Sequence, residues 1–479
     1  MRKPQQNFTP RTRPMPHQRE AIEYIIDTPN AALFDEQGLG KTKIIIDAFA
    51  ELMRRGEVDA ALVVAPMGLV YNWEAEIGKH SNLVPVVLRG TVRQRKYRFL
   101  SGANFYLVNY EAVVAQLEIF RKMVQTRRFA IALDEATRIK DPTTETAKAL
   151  FAIGEHATRK VILTGTPIAN RPVDLWSQYF FLDGGQLLGR EYKTFASNYD
   201  LDSDGIEDRL EVLSELVRSH SIRRLKNDVL ELPDKVFIVH EIPLAGAQEQ
   251  MYRDCADDLI VQLRSMSGDT YVHEVDNILE RLLRLVQIAS NPGLLDPQFS
   301  GPIAKLDYLD ELCERLLDQH EKLIIWSGFV DNIETVVRRL KRYRPLQIHG
   351  GIGVEKRAEI VRAFQEREAN RVLVANPAAA REGLTLTRAS AAVYLDRGFN
   401  LVDYLQSQDR IHRIGQTRRC EIHKLIAAGT VDEYVDAVIE LKENVAGFVY
   451  NPSDEGKSQM AQLRNEKQEI LRFLGEAKA

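Results

Sequence analysis

The sequence predicts an α/β chain of two lobes, each built on a parallel sheet, with helical protrusions inserted in or after each lobe. In the first half a short apolar run, Ala31 to Phe34, is broken by Gly38-Leu39-Gly40-Lys41-Thr42, and helically spaced residues then run from Lys43 to Arg55 and stop at Gly56. That order is strand, glycine turn, helix. Two more buried strands, Phe129 to Leu133 and Lys160 to Leu163, follow. In the second half the apolar runs Leu323 to Trp326, Leu346 to His349, Val372 to Ala375, Ala392 to Leu395 and Ile422 to Leu425 alternate with helical stretches, the pattern of a second parallel sheet.

Bulk properties agree with such a chain. Its 479 residues suit two to four domains, and 44% apolar with 28% charged residues describes a folded globular protein. A net charge of −4 excludes a generally basic coat, so any polyanion has to be gripped by local patches. Arg93, Arg95, Lys96 and Arg98 form one candidate, and Arg338, Arg339, Lys341, Arg342 and Arg344 another. The longest apolar runs fall short of the ~18 residues of a membrane helix, and no apolar core follows Met1-Arg2-Lys3-Pro4. A cytoplasmic protein, or a nuclear one if eukaryotic, without membrane association is expected. Cys255, Cys313 and Cys420 are too widely spaced for a zinc cluster and odd in number for a disulfide framework.

The chemistry begins at the first glycine turn. Backbone N–H groups of Gly38 to Gly40 and the positive end of the following helix suit phosphate oxygens, Lys41 suits the β- and γ-phosphates of a nucleoside triphosphate, and the Thr42 hydroxyl suits Mg²⁺. One position departs from the general phosphate-loop pattern, which wants glycine where this chain has Asp35. The strand Phe129 to Leu133 delivers Asp134-Glu135 at its carboxyl end, where ligands of parallel sheets collect. Two adjacent carboxylates can divide the labour, Asp134 holding Mg²⁺ and Glu135 deprotonating an attacking water. The third strand ends in Thr164-Gly165-Thr166-Pro167, whose small hydroxyl residues suit coupling of the γ-phosphate site to the lobe interface. Upstream, Gln18 offers the donor and acceptor that an adenine edge requires. Late in the chain Asp409 through Gln416 place Arg410 and Arg413 three apart, candidate fingers for the same nucleotide.

These motifs, in this order, resemble the Swi/Snf-type helicase-like ATPases of helicase superfamily two. The resemblance rests on Asp35-Glu36-Gln37-Gly38-Leu39-Gly40-Lys41-Thr42, Asp134-Glu135-Ala136-Thr137-Arg138-Ile139-Lys140, Leu163 to Asn170, and Gln406 with Asp409 to Gln416. Asp35 is then the family's own variant. Thr137 stands where the family usually has histidine, Asn376 to Glu382 replaces a serine- or threonine-led run, and Phe399-Asn400 replaces a tryptophan-asparagine pair.

The resemblance implies two RecA-like P-loop lobes: lobe one over residues 1–170, a helical protrusion over 171–222, an interlobe link over 223–244, a second helical protrusion over 245–300, lobe two over 301–450 and a charged tail over 451–479. The first protrusion shows no continuation of the first sheet's strand pattern, and its Trp176 reads as core. It implies catalytic roles for Lys41, Asp134, Glu135, Arg410 and Arg413, nucleotide contacts from Gln18, Gly38, Gly40, Lys41, Thr42, Gly383 and Gln406, and Mg²⁺ on Thr42 and Asp134. Pro66, Trp73, Asn109, Tyr110, Ser327, His349, Gly350 and Thr385 are implied to face a nucleic-acid backbone, although Trp73 reads more readily as a packing residue. The implied activity is ATP-driven translocation of a monomer on double-stranded DNA without strand separation. A true DNA or RNA helicase, and an ATP-gated clamp that docks a protein partner through Leu463, Ile470, Leu471 and Leu474 of the tail, are the alternatives.

Overall fold

Strand composition dictates how the first sheet is buried. The run Phe-Ala-Ile-Ala-Leu-Asp is apolar on both faces until its last residue, as a central parallel strand covered by helices on each side must be. In the computed structural model, which describes residues 8–168, 171–199, 205–265, 275–381 and 384–450, this run is fully buried. The chain divides into two compact units, the first running to Glu231 and the second from Leu232 to Glu443.

The first unit holds β1 (Asn30–Leu33), β2 (Ala60–Ala65), β3 (Pro85–Val87), β4 (Phe105–Asn109), β5 (Phe129–Asp134), β6 (Arg159–Leu163) and β7 (Ser221–Ile222). All pair in parallel, in the order β3-β4-β2-β5-β6-β1-β7. Every strand therefore presents its carboxyl end at the same edge of the sheet. Helices α1 (Pro16–Asp27), α2 (Lys41–Arg54) and α3 (Met67–His80) close one face with Ile25, Ile44, Phe49, Trp73 and Ile77.

Residues 171–222 form helices Asp174–Asp183, Tyr192–Asn198 and Ile206–Ser219. Trp176 is buried and stacks on Phe180 with ring centroids 4.6 Å apart, so it is core as the sequence suggests. The expectation that this stretch adds nothing to the sheet is corrected: Ser221 and Ile222 pair with Ala32 and Leu33 as β7. A strand of two residues has no periodicity to reveal it.

The second unit holds β8 (Lys235–Pro243), β9 (Leu323–Trp326), β10 (Leu346–Ile348), β11 (Val372–Ala375), β12 (Ala391–Tyr394) and β13 (Cys420–Ala428), all parallel in the order β10-β11-β9-β12-β13-β8. Alternation sends Ile324, Trp326, Leu373 and Ala375 into one core and Leu323, Ile325, Val372 and Val374 into the other. Nine residues of the expected link thus belong to the second sheet as β8. Helices Gly246–Ser265 and Val275–Ser290 follow it and bury Leu259, Leu263, Leu282 and Leu285 on the first of these cores. The tail over 451–479 lies outside the described residues.

Candidate nucleotide site and the second-lobe arginines

The loop between β1 and α2 is built around two glycines in the left-handed region, Gly38 at φ 90° and Gly40 at φ 84°. A side chain at Gly40 would also collide, since its Cβ would lie 2.3 Å from Gln18 Nε2. Gln18 is buried behind the loop, donating to Leu39 O at 3.1 Å and accepting from Met15 N at 3.0 Å. One N–H and the oxygen of its amide are thereby engaged with the protein, so Gln18 also supports the loop. Lys41 opens α2 and folds its ammonium back over the loop, 2.8 Å from Asp35 O and 3.3 Å from Glu36 O. Thr42 follows, half-buried.

Asp35, which stands where the general pattern has glycine, is fully buried. Arg224 pairs with it bidentately, Nε to Oδ1 at 3.0 Å and Nη2 to Oδ2 at 2.5 Å, and also donates to His17 O. Its neighbour Glu36 accepts from Lys226 N at 2.7 Å, with Lys226 Nζ at 3.4 Å. The chain leaving the first unit is thus bolted along the phosphate loop. No local pattern in the sequence reveals this pairing, because 189 positions separate Arg224 from Asp35.

The acidic pair sits at the end of β5. Asp134 accepts from Trp73 Nε1 at 2.7 Å and from Glu135 N at 3.0 Å, and its carbonyl accepts from the Tyr110 hydroxyl at 2.8 Å. Burial and the adjacent Glu135 charge push the Asp134 carboxyl up to about 6, against the Trp73 hydrogen bond and the Lys41 charge. Glu135 is held at φ 55° and ψ 55°, a conformation that costs a non-glycine residue about 1–2 kcal/mol. Its Oε1 accepts from Gln37 Nε2 at 2.8 Å. Gln37 also fills the space beside Gly165, where a Cβ would lie 2.9 Å from Gln37 Cγ. One loop residue therefore touches both the acidic pair and the Thr164 to Pro167 turn, a link the sequence did not announce. In that turn the Thr166 hydroxyl is buried without a hydrogen-bond partner among the described residues.

The donor set fits Mg²⁺. A carboxylate pushed toward neutrality by burial and by its neighbour is relieved by a divalent charge, and the orphaned hydroxyl offers a further oxygen for phosphate or water. No cluster of three or more histidine, cysteine or acidic side chains able to hold a metal occurs among the described residues.

In the second unit Arg410 and Arg413 converge, their Nη1 atoms 3.4 and 3.3 Å from Leu384 O. Gln416 fixes this segment by donating to Ala389 O at 2.9 Å, Ile411 O at 3.1 Å and Thr387 O at 3.2 Å. Gln406 is buried in the helix Leu401–Gln408. Gly383 lies outside the described residues.

The expected nucleic-acid residues divide by exposure. Pro66, Trp73, Tyr110 and Ser327 are buried, and a sealed side chain offers no surface to a phosphate. Trp73 and Tyr110 grip Asp134 instead, and Ser327 donates to Asp396 at 2.5 Å, beside Gly328 N at 2.6 Å and Asn332 Nδ2 at 3.0 Å. Asn109 and His349 are half-buried, and Gly350 and Thr385 exposed, which leaves these four able to meet a ligand.

Two parallel-sheet lobes, the first carrying a phosphate loop and a paired-acid strand end, define the helicase-like P-loop NTPases. The SNF2-related domain matches residues 17–294 and the helicase conserved C-terminal domain residues 304–415, and the chain belongs to the SNF2-related family. The Bacillus subtilis protein YwqA is 30% identical over 87% of this chain and 46% of its own length. The human DNA repair and recombination protein RAD54-like is 27% identical over 88% of this chain and 64% of its own. The Sulfolobus solfataricus SWI2/SNF2 ATPase core in complex with dsDNA aligns over 97% of each chain at 26% identity and a TM-score of 0.45. The chain spans under two thirds of the length of these two curated relatives.

Proposed function

We propose that this chain hydrolyses ATP and couples the hydrolysis to translocation on double-stranded DNA. The observation that carries the reading is the convergence at one sheet edge of the Lys41 loop, the Asp134-Glu135 pair and the Thr164 to Pro167 turn, joined through Gln37. Lys41 and the loop amides hold the phosphates, and Glu135, oriented by Gln37, takes the proton of the attacking water. Thr42 and Asp134 would hold Mg²⁺, which when bound neutralises phosphate charge. Arg410 and Arg413, presented together from the second lobe, stabilise charge on the transferred phosphoryl group when the lobes close. Duplex DNA as the track is supported by family membership and by the DNA repair and recombination role in the RAD54-like relative's name.

The test is the ATPase rate with no nucleic acid, single-stranded DNA, duplex DNA and RNA. Glu135→Gln is expected to lower the stimulated rate by 10²-fold or more while nucleotide binding persists, because only the proton acceptor is lost. Stimulation by duplex DNA, followed by displacement of a third strand from a triplex, supports translocation; stimulation by RNA or single strands alone supports the helicase alternative.

A further inference from the structure

Four strands end the two sheets, and three of them are short: β3 and β10 hold three residues each and β7 two. The fourth, β8, holds nine, and all nine pair with β13 on one side only. Among the described residues no strand pairs with its other side. Soluble proteins generally shorten, kink or charge such an edge, because an unpaired row of N–H and C=O groups templates another strand. Here the centre is apolar: Phe237 is 47% and Val239 46% exposed, and no proline interrupts the strand before Pro243. Charges stand only toward its ends, with Lys235 at 5.3 Å from the Phe237 ring centroid and Glu241 exposed.

The backbone geometry tells which groups are free. Cys420 N donates to Asp234 O at 2.8 Å, and Cys420 lies in register with Lys235. The N–H and C=O of one strand residue point to the same side, so the even-numbered residues face β13. Lys235, Phe237, Val239 and Glu241 turn their backbone groups to the open edge, and their side chains share one face.

We propose that β8 pairs antiparallel with β8 of a second copy of this chain, centred on Ile238. Phe237 then lies opposite Val239 of the second copy and Lys235 opposite its Glu241. Each of these is a pair of outward-facing residues able to exchange two hydrogen bonds, apolar against apolar at the centre and opposite charges at both ends. Sliding by one residue sets outward-facing residues against inward-facing ones and breaks the ladder. Sliding by two sets Lys235 against Val239, or Phe237 against Glu241. The strand is thus self-complementary in one register, which departs from the monomer expected from sequence and makes the second copy the occupant that fits. One strand edge buries less than the ~1,200 Å² of a stable interface, so the dimer is weak and concentration-dependent.

Sedimentation of the full chain over a concentration series, without DNA, tests this. The apparent mass is expected to move from one chain toward two as concentration rises. Val239→Lys should abolish the shift. Lys235→Glu and Glu241→Lys should each weaken association several-fold, and the double swap should restore it. Thermal melting of each variant separates lost pairing from lost fold, which matters for Lys235 because it also donates to Gln408 Oε1 at 3.0 Å. A chain that stays monomeric throughout overturns the proposal and leaves the edge to an extended segment of another protein. A dimer that survives Val239→Lys, or a double swap no tighter than the single ones, overturns it as well.

Discussion

Asp35 and Trp73 both support the nucleotide site from buried positions in the first unit. Asp35 departs from the general phosphate-loop pattern, and its burial against Arg224 makes it an anchor for the loop. Arg224→Ala strands that carboxylate without its cation, and breaking a buried pair from one side costs about 3–5 kcal/mol. A first-lobe melting transition lowered by several degrees, together with weakened nucleotide binding, is expected; a transition unchanged in calorimetry would show the pair to be dispensable. Trp73 matches a motif expected to touch DNA, but its indole N–H is spent on Asp134. Removing such an outer hydrogen bond typically weakens metal binding 10- to 100-fold, so Trp73→Phe should weaken Mg²⁺-dependent nucleotide binding to about that extent. Its affinity for duplex DNA without nucleotide should stay put, and titrations with a fluorescent nucleotide and with labelled DNA read the two effects separately. The phosphate loop and the acidic pair were legible because contiguous residues carry them. The contacts of Gln37 and Arg224, and the bond from Trp73 to Asp134, were not, because contacts between residues distant in sequence leave no local pattern.

At the scale of elements, the long buried strands could be read from composition, while β7 and the start of the second sheet at β8 could not. β7 is two residues, and β8 is half-exposed with mixed charge, so neither writes an apolar run. Where β8 meets β13, His240 and His423 stack with rings 5.2 Å apart and 13° between planes, and Tyr308 contacts His240 Nδ1 at 2.9 Å. Glu421 lies 3.5 Å from His423 and 3.2 Å from His320, and the Arg315 charge also bears on His240. Burial first, then the His240 charge, pulls His423 down to about 4, with Glu421 opposing. The unfolded chain takes up this proton near pH 6.5 and the folded one only near 4, so the stabilisation is complete above pH 6.5 and is lost as pH falls toward 4. The second-lobe transition should therefore drop between pH 7 and pH 5 in calorimetry. His423→Asn should flatten that dependence; an equal drop in the variant would place the acid sensitivity elsewhere.

For the whole molecule the proposed translocation raises the question of how a chain of net charge −4 would hold a polyanion. Attraction cannot come from overall charge, so it has to come from patches within a Debye length of the phosphates, about 8–10 Å at physiological salt. The helix Val92–Phe99 has no buried residue and presents Arg93 and Lys96 beside an exposed Tyr97, while the half-buried Arg98 donates to Arg89 O at 2.8 Å without an acidic partner among the described residues. The second-lobe basic run is partly spent already, since Arg339 is paired with Asp307 and Asp310, and Arg342 reaches Glu314 at 3.4 Å. The first patch is therefore the better candidate for long-range capture. Phosphate contacts carry no base information, so stimulation by duplex DNA should be indifferent to sequence and steeply dependent on salt. With about four phosphates neutralised, the half-stimulating DNA concentration should rise on the order of 10²-fold between ~50 and ~200 mM salt, while the DNA-free ATPase rate stays nearly level. Arg93→Glu with Lys96→Glu should raise that concentration at low salt and shallow its salt slope. If the double variant responds to DNA and salt as the parent does, the helix is only a solvated face and the grip lies elsewhere.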